Sequence, residues 1–245
     1  MIVVQGIAKA YGGVQAAAGV SLKAKDAAIT TLLGGNGAGK TTTLRAIAGL
    51  IRADAGHAAI DGIEVQNNRI AALRRLGFFA DRFGLYPRLT AREHLELSAA
   101  LHGLGGAALN AAVERAISLL DMGSIADRRT AGMSQGQQVK IALGRSIVHR
   151  PPNLILDEPT RGLDIFAVRL LRALLKRLRD EGVCILMSSH IMAEVAELSD
   201  AVVLIAGGRT VATGTPEEIR LTAGAATLED AIVTLTTRTR ERAPA

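Results

Sequence analysis

Ile29-Thr30-Thr31-Leu32-Leu33-Gly34-Gly35-Asn36-Gly37-Ala38-Gly39-Lys40-Thr41-Thr42 is the stretch from which the rest of the chain can be read. Its first five residues are β-branched or leucine, a continuous rather than alternating run, which suits a strand buried on both faces. Gly34 to Thr41 then fits G-x-x-x-x-G-K-[ST], and the spacing predicts a helix over 42–50. Glycines let such a loop turn its N–H groups inward as an anion nest, and the helix N-terminus adds partial positive charge. Lys40 is expected to bridge the β- and γ-phosphates of a nucleotide and Thr41 to offer its hydroxyl to Mg²⁺. A flexible turn accounts for the glycines but not for a Lys-Thr pair at a helix start.

Further short apolar runs at 153–156, 183–187 and 201–205 each end in Asp, Ser or Gly, which points to a parallel α/β sheet. Between them, residues 165–179 read as an amphipathic helix with Phe166, Leu170, Leu174 and Leu178 on one face and a solvated row of basic residues on the rest. From about 81 to 150 the strand signal disappears. Thr90-Ala91-Arg92-Glu93 is a capping box, 107–120 has helical periodicity, and Ser134-x-x-Gln137 is a second capping box. Thr215-Pro216-Glu217-Glu218 starts another helix, and the last few residues read as a frayed tail.

The run 153–156 ends in Asp157-Glu158-Pro159. A carboxylate at the end of a buried strand needs a strong partner, and a metal–phosphate centre supplies one. Successive side chains leave a strand in opposite directions, so Asp157 is placed to hold Mg²⁺ and Glu158 to face the attacking water. An ordinary acidic turn before the proline is the plain alternative.

The 245 residues allow one long α/β domain or two small lobes, and 49% hydrophobic against 21% charged residues excludes a disordered chain. No apolar run reaches the roughly 18 residues of a membrane span. Met1-Ile2-Val3-Val4-Gln5 lacks the features of a signal peptide, so a cytosolic chain is expected. Cys184, the single cysteine, reads as a core thiol. The net charge of +6 is spread along the chain, and 2% aromatic residues with no Trp argue against a stacking platform for single strands.

With these motifs in order, the chain resembles the nucleotide-binding subunit of ATP-binding cassette (ABC) transporters over about residues 2–232. Met133-Ser134-Gln135-Gly136-Gln137, upstream of Asp157, is similar to the family signature L-S-G-G-Q and separates cassettes from other phosphate-loop ATPases. The resemblance implies an α/β fold: a RecA-like phosphate-loop NTPase core with a parallel sheet, an N-terminal antiparallel β part and an inserted helical lobe. It implies one ATPase domain over 1–222, with the core lobe at about 1–80 and 151–222 and the helical lobe at about 81–150. A short C-terminal helix and basic tail would follow at 223–245.

The cofactors implied are ATP and Mg²⁺. Gly34, Asn36, Gly37, Ala38, Gly39, Lys40, Thr41 and Thr42 would hold the phosphates, Tyr11 would stack on adenine, and Glu158, His190 and Lys40 would be catalytic. His190 follows Ser188-Ser189 in the place of the family's switch histidine, at a sheet edge where ligands bind. Ser134, Gly136 and Gln137 would grip the γ-phosphate held by a second copy or a second cassette, enclosing two ATP molecules head to tail. Asp164, in Gly162-Leu163-Asp164, either crosses to the partner or simply caps the helix from Ile165.

Four residues depart from the family pattern. Asp81 stands where Gln is usual; it can ligate Mg²⁺ but adds a charge. Gln135 replaces a signature glycine, where a side chain could crowd the phosphate. Ala27-Ala28 stand where Gly-Glu is common, a change expected to be tolerated at the surface. Asp81 with Leu85-Tyr86-Pro87-Arg88-Leu89-Thr90, and the late Thr227-Leu228-Glu229-Asp230-Ala231, look like the exporter class whose permease is a separate chain and whose members extrude sodium ion or drugs. The expected place is the cytoplasm, peripheral on the inner membrane face, with no nucleic-acid partner. A soluble cassette ATPase acting on nucleic acid or ribosomes is the alternative.

Overall fold

The computed structural model describes residues 1–81 and 84–241, so the end of the expected tail, 242–245, lies outside the described residues. Among the described residues ten strands form two sheets: β1 (Ile2–Tyr11), β2 (Val14–Ala24), β3 (Ala28–Leu33), β4 (Ala55–Ile60), β5 (Ile63–Glu64), β6 (Leu76–Phe79), β7 (Asn153–Leu156), β8 (Cys184–Ser189), β9 (Ala201–Ala206) and β10 (Arg209–Gly214). The helices are α1 (Lys40–Ile47), α2 (Arg69–Arg74), α3 (Ala91–Leu101), α4 (Gly106–Leu119), α5 (Gln135–Ile147), α6 (Ile165–Asp180), α7 (Met192–Leu198), α8 (Pro216–Ala223) and α9 (Leu228–Glu241).

One sheet, in the order β2-β1-β4-β5, is antiparallel. The other runs β10-β9-β3-β8-β7-β6; its pairings are parallel apart from the antiparallel β9–β10 hairpin. The strand read from 29–33 is central in it, and Ile29, Leu32 and Leu33 are fully buried. Its neighbours end almost level with it, Leu33 opposite Ser189 and Leu156 opposite Met187. The loops that leave β3, β7 and β8 therefore meet at one edge, where open α/β sheets hold their ligands.

Between β6 and β7 the chain leaves the sheet for α3, α4 and α5. Both capping boxes form: Thr90 with Glu93 opens α3, and Ser134 with Gln137 opens α5. Leu95, Val113, Ile117, Met122 and Ile141 fill the space between these helices. Gly144 lets α5 approach closely, since a Cβ there would lie 2.7 Å from Leu95 Cδ2.

Two local expectations need correcting. Helix α1 begins at Lys40, not Thr42, and ends at Ile47, because the loop's last glycine already caps it. In α6 the buried stripe is Leu171, Leu174, Leu175 and Leu178, whereas Phe166 and Leu170 are 77% and 59% exposed. Steps of four residues drift by about 40° each around a helix, so three of them carry Phe166 off the contact line, while steps of three and four hold it.

Candidate functional site

Two loop glycines are there because no other residue fits. A Cβ on Gly34 would stand 2.3 Å from the carbonyl oxygen of Ile205, and one on Gly39, at φ 101°, 2.4 Å from that of Ala16. Lys40 is buried, and its Nζ donates to the carbonyls of Gly34 (2.7 Å) and Gly35 (3.1 Å). The ammonium thus sits curled under its own loop. Burial pushes its pKa below the ordinary amine value, opposed by the nearby charges of Glu158 and Asp157. Ala16, Asn36, Gly37, Ala38, Thr41 and Thr42 border the groove over the loop.

A second cavity, of about 340 Å³, opens beside this groove and is lined by Asn36, Thr41, Asp81, Asp157, Glu158, Arg161 and His190. Asp157 is buried, and its Oδ1 accepts from Thr41 Oγ1 (3.1 Å) and Ser188 Oγ (2.7 Å). Ser188 in turn accepts from the Glu158 N–H (2.9 Å), so one hydroxyl sets both acids. Glu158 takes the left-handed backbone at φ 46°, a conformation costly for a side-chain-bearing residue. That turn aims its Oε1 between Lys40 Nζ (3.8 Å) and His190 Nδ1 (3.4 Å). The oxygen donors of Thr41 and Asp157 are the kind a hard divalent cation takes, with phosphate and water completing its shell, so the residues present fit Mg²⁺.

Asp81 reaches this cavity, but its carboxylate faces Arg161, whose Nη1 lies 3.2 and 3.3 Å from its two oxygens. Gln135 turns towards its own chain: its Nε2 donates to the Arg161 carbonyl (3.1 Å), folded into the space left by Gly162. Asp164 caps α6 by accepting from the Ala167 N–H (2.8 Å).

The remaining expected residues lie apart. Ser134, Gly136, Gln137 and Asp164 border a separate groove beside α6, away from the phosphate loop. A Cβ on Gly136 would meet nothing within 4 Å, so packing within the chain does not demand that glycine. Tyr11 is half-exposed at the β1–β2 turn, with Lys9 Nζ 5.6 Å from its ring centre. His94, among the histidines with no expected role, is a buried structural link: its ring bonds the Thr90 carbonyl and accepts from the Tyr86 N–H.

Sequence reasoning missed three residues here. Ser188, which bonds both Asp157 and Glu158, stands in the sequence only as a neighbour of His190. Glu194 is buried and binds Thr160 Oγ1 (2.9 Å) and Ser189 Oγ (3.1 Å), tying the segment after Glu158 to the end of β8. Arg161 carried no motif signal.

The family model described as "ABC transporter" matches residues 17–161, more than half of the chain and both halves of the loop-and-acid arrangement. The chain belongs to the ABC transporter family. This cassette is 37% identical to the ABC transporter ATP-binding protein NatA of Bacillus subtilis (strain 168), over 84% of each chain. A solved structure described as the ATP-binding subunit of an ABC transporter superposes with a TM-score of 0.88 at 28% identity, over 96% of this chain and 99% of that one. The dimeric structure of the bacterial ABC transporter cassette MJ0796 gives 0.80 at 27%, over 88% and 98%. The cassette is an ATP-binding ATPase with the phosphate-loop fold.

Proposed function

We propose that this cassette binds Mg²⁺-ATP at the loop after β3 and uses its hydrolysis to drive export through a separate membrane permease. The observation that carries the reading is the convergence of Lys40, Thr41, Asp157, Glu158 and His190 on adjoining cavities at one sheet edge. Thr41 and Asp157 would hold the metal, which supplies charge neutralisation between the phosphates. Lys40 exchanges its two carbonyl partners for phosphate oxygens. Glu158 accepts the proton of the attacking water, and His190, beside it, contacts the γ-phosphate; Tyr11 stacks on the adenine.

The groove holding Ser134, Gly136 and Gln137 shares no lining residue with the two cavities at the chain's own loop, which supports a head-to-tail pair in which each copy's α5 N-terminus closes the other's nucleotide. ATP then acts as glue between copies, and hydrolysis loosens them. Asp164, at the rim of that groove, would face the partner. Among the described residues no helix is long and apolar enough to cross a membrane; in this reading a separate permease chain supplies the path. A cleft between sheet and helices, lined by Leu50, Phe78, Ser98 and His102, offers it a docking place near Asp81. We take the cargo class to be sodium ion or drug.

In Glu158→Gln, calorimetry is expected to show ATP affinity retained while turnover falls by about 10² to 10⁴, with a long-lived ATP-dependent dimer in light scattering. Near-normal turnover would remove Glu158 from its role, and solitary molecules at saturating ATP would remove the sandwich. Lys40→Ala is expected to abolish measurable nucleotide binding. A polytopic membrane protein copurifying from detergent extracts supports transport; tight, salt-sensitive nucleic-acid binding in its place contradicts it.

A further inference from the structure

We propose that Arg161 is a γ-phosphate ligand of its own chain's nucleotide, held in reserve by Asp81 until a triphosphate enters. The inference rests on the nucleotide reading above and adds a residue to it. Three carboxylates, Asp81, Asp157 and Glu158, line the cavity beside the phosphate loop, and among its described lining residues Arg161 is the one permanent cation. A terminal phosphate entering that space faces this acidic lining, and a guanidinium fork is the group best matched to its oxygens.

The geometry lets the side chain move while its base stays fixed. The Arg161 N–H donates to the Glu158 carbonyl (3.2 Å), and its carbonyl accepts from Gln135 Nε2 (3.1 Å). Gln135, which replaces a signature glycine, is therefore a positioning residue for Arg161. The Arg161 side chain is 63% exposed and that of Asp81 32%, so the pair is water-screened and easily exchanged. A γ-phosphate carries more charge than one carboxylate and offers several acceptor oxygens to the same fork. Two of the departures from the family pattern, at 81 and 135, thus serve one arginine.

Calorimetry with ATP and with ADP, in a Glu158→Gln background that holds ATP intact, tests this. Arg161→Gln is expected to weaken ATP about tenfold while ADP stays within about twofold, because ADP lacks the group contacted. Arg161→Lys retains part of the ATP affinity as a point charge. Asp81→Asn is expected to tighten ATP several-fold when Arg161 is present and by clearly less beside Arg161→Gln. A general relief of repulsion would be at least as large in that double variant, so an undiminished gain there overturns the proposal. Unchanged ATP affinity in Arg161→Gln, or equal loss of ATP and ADP, also overturns it, while loss of both nucleotides in Lys40→Ala keeps the nucleotide reading intact in either case.

Discussion

Ala27 stands at φ 51° in the turn from β2 to β3, a left-handed conformation that costs a side-chain-bearing residue about 1–2 kcal/mol. Glycine there would relieve that strain and lose about 0.4–1 kcal/mol through a freer unfolded chain. Ala27→Gly is therefore expected to stabilise the protein by about 0.5–1 kcal/mol, read as a rise in the urea midpoint with an unchanged slope; a fall in the midpoint would refute the argument. The family's usual glycine at this position has its reason in that angle, which the sequence could not supply. At the same scale, Lys40, Thr41, Asp157 and Glu158 were legible because each belongs to a short motif whose spacing expresses a local backbone shape. Arg161 with Asp81, Gln135 with Arg161, and Ser188 with Asp157 were not: these partners lie 80, 26 and 31 residues apart and meet only once the sheet has formed.

Elements read from continuous apolar runs came through well, since β3 and β7 are flanked on both sides and allow no alternation. Helix α6 shows where such reading fails, because an apolar stripe can be drawn with more than one pitch and its neighbours decide which is buried. The junction of α3 and α5 makes a further prediction. His102, the C-cap of α3, stacks on His149, just past the end of α5, with ring centres 3.5 Å apart and planes within 4°. His149 Nε2 bonds the Leu76 carbonyl, while its Nδ1 is buried without a partner. Burial first, and then His102, pushes the His149 pKa down from 6.5 to about 4, and burial also lowers that of His102. The fold therefore holds His149 neutral, and the unfolded chain takes up the proton first. Its stabilising contribution is complete above about pH 6.5 and is lost as pH falls towards 4, by roughly 2–3 kcal/mol. Urea midpoints between pH 7 and 4.5 should fall less steeply for His149→Gln than for the parent; parallel slopes would remove this pair as a source of acid sensitivity.

Across the whole molecule, the two sheets share one core: Leu32, Ile155, Leu186 and Val203 from the parallel sheet pack with Ile2, Val4 and Ile60 from the antiparallel one. Charge and composition gave no hint of that layering, which depends on long-range strand order. The phosphate loop lies at the seam, and backbone bonds cross it. The Ala38 carbonyl accepts from the Gly208 N–H (3.2 Å), and the Gly208 carbonyl accepts from the Ala18 N–H (2.7 Å). A Cβ on Gly208 would stand 2.9 Å from the Ala18 nitrogen, so the three strands of chain leave one another no slack. A nucleotide that stills the loop must then still its neighbours as well. Amide deuterium uptake at Ala18 and Gly208 is expected to slow when ATP is added, although neither belongs to the nucleotide's expected contacts, and uptake indifferent to ATP would break that link. Because the connection runs through main-chain atoms, side chains elsewhere on this surface can change while Gly39 and Gly208 stay, and the antiparallel sheet is still informed of whether the pocket is full.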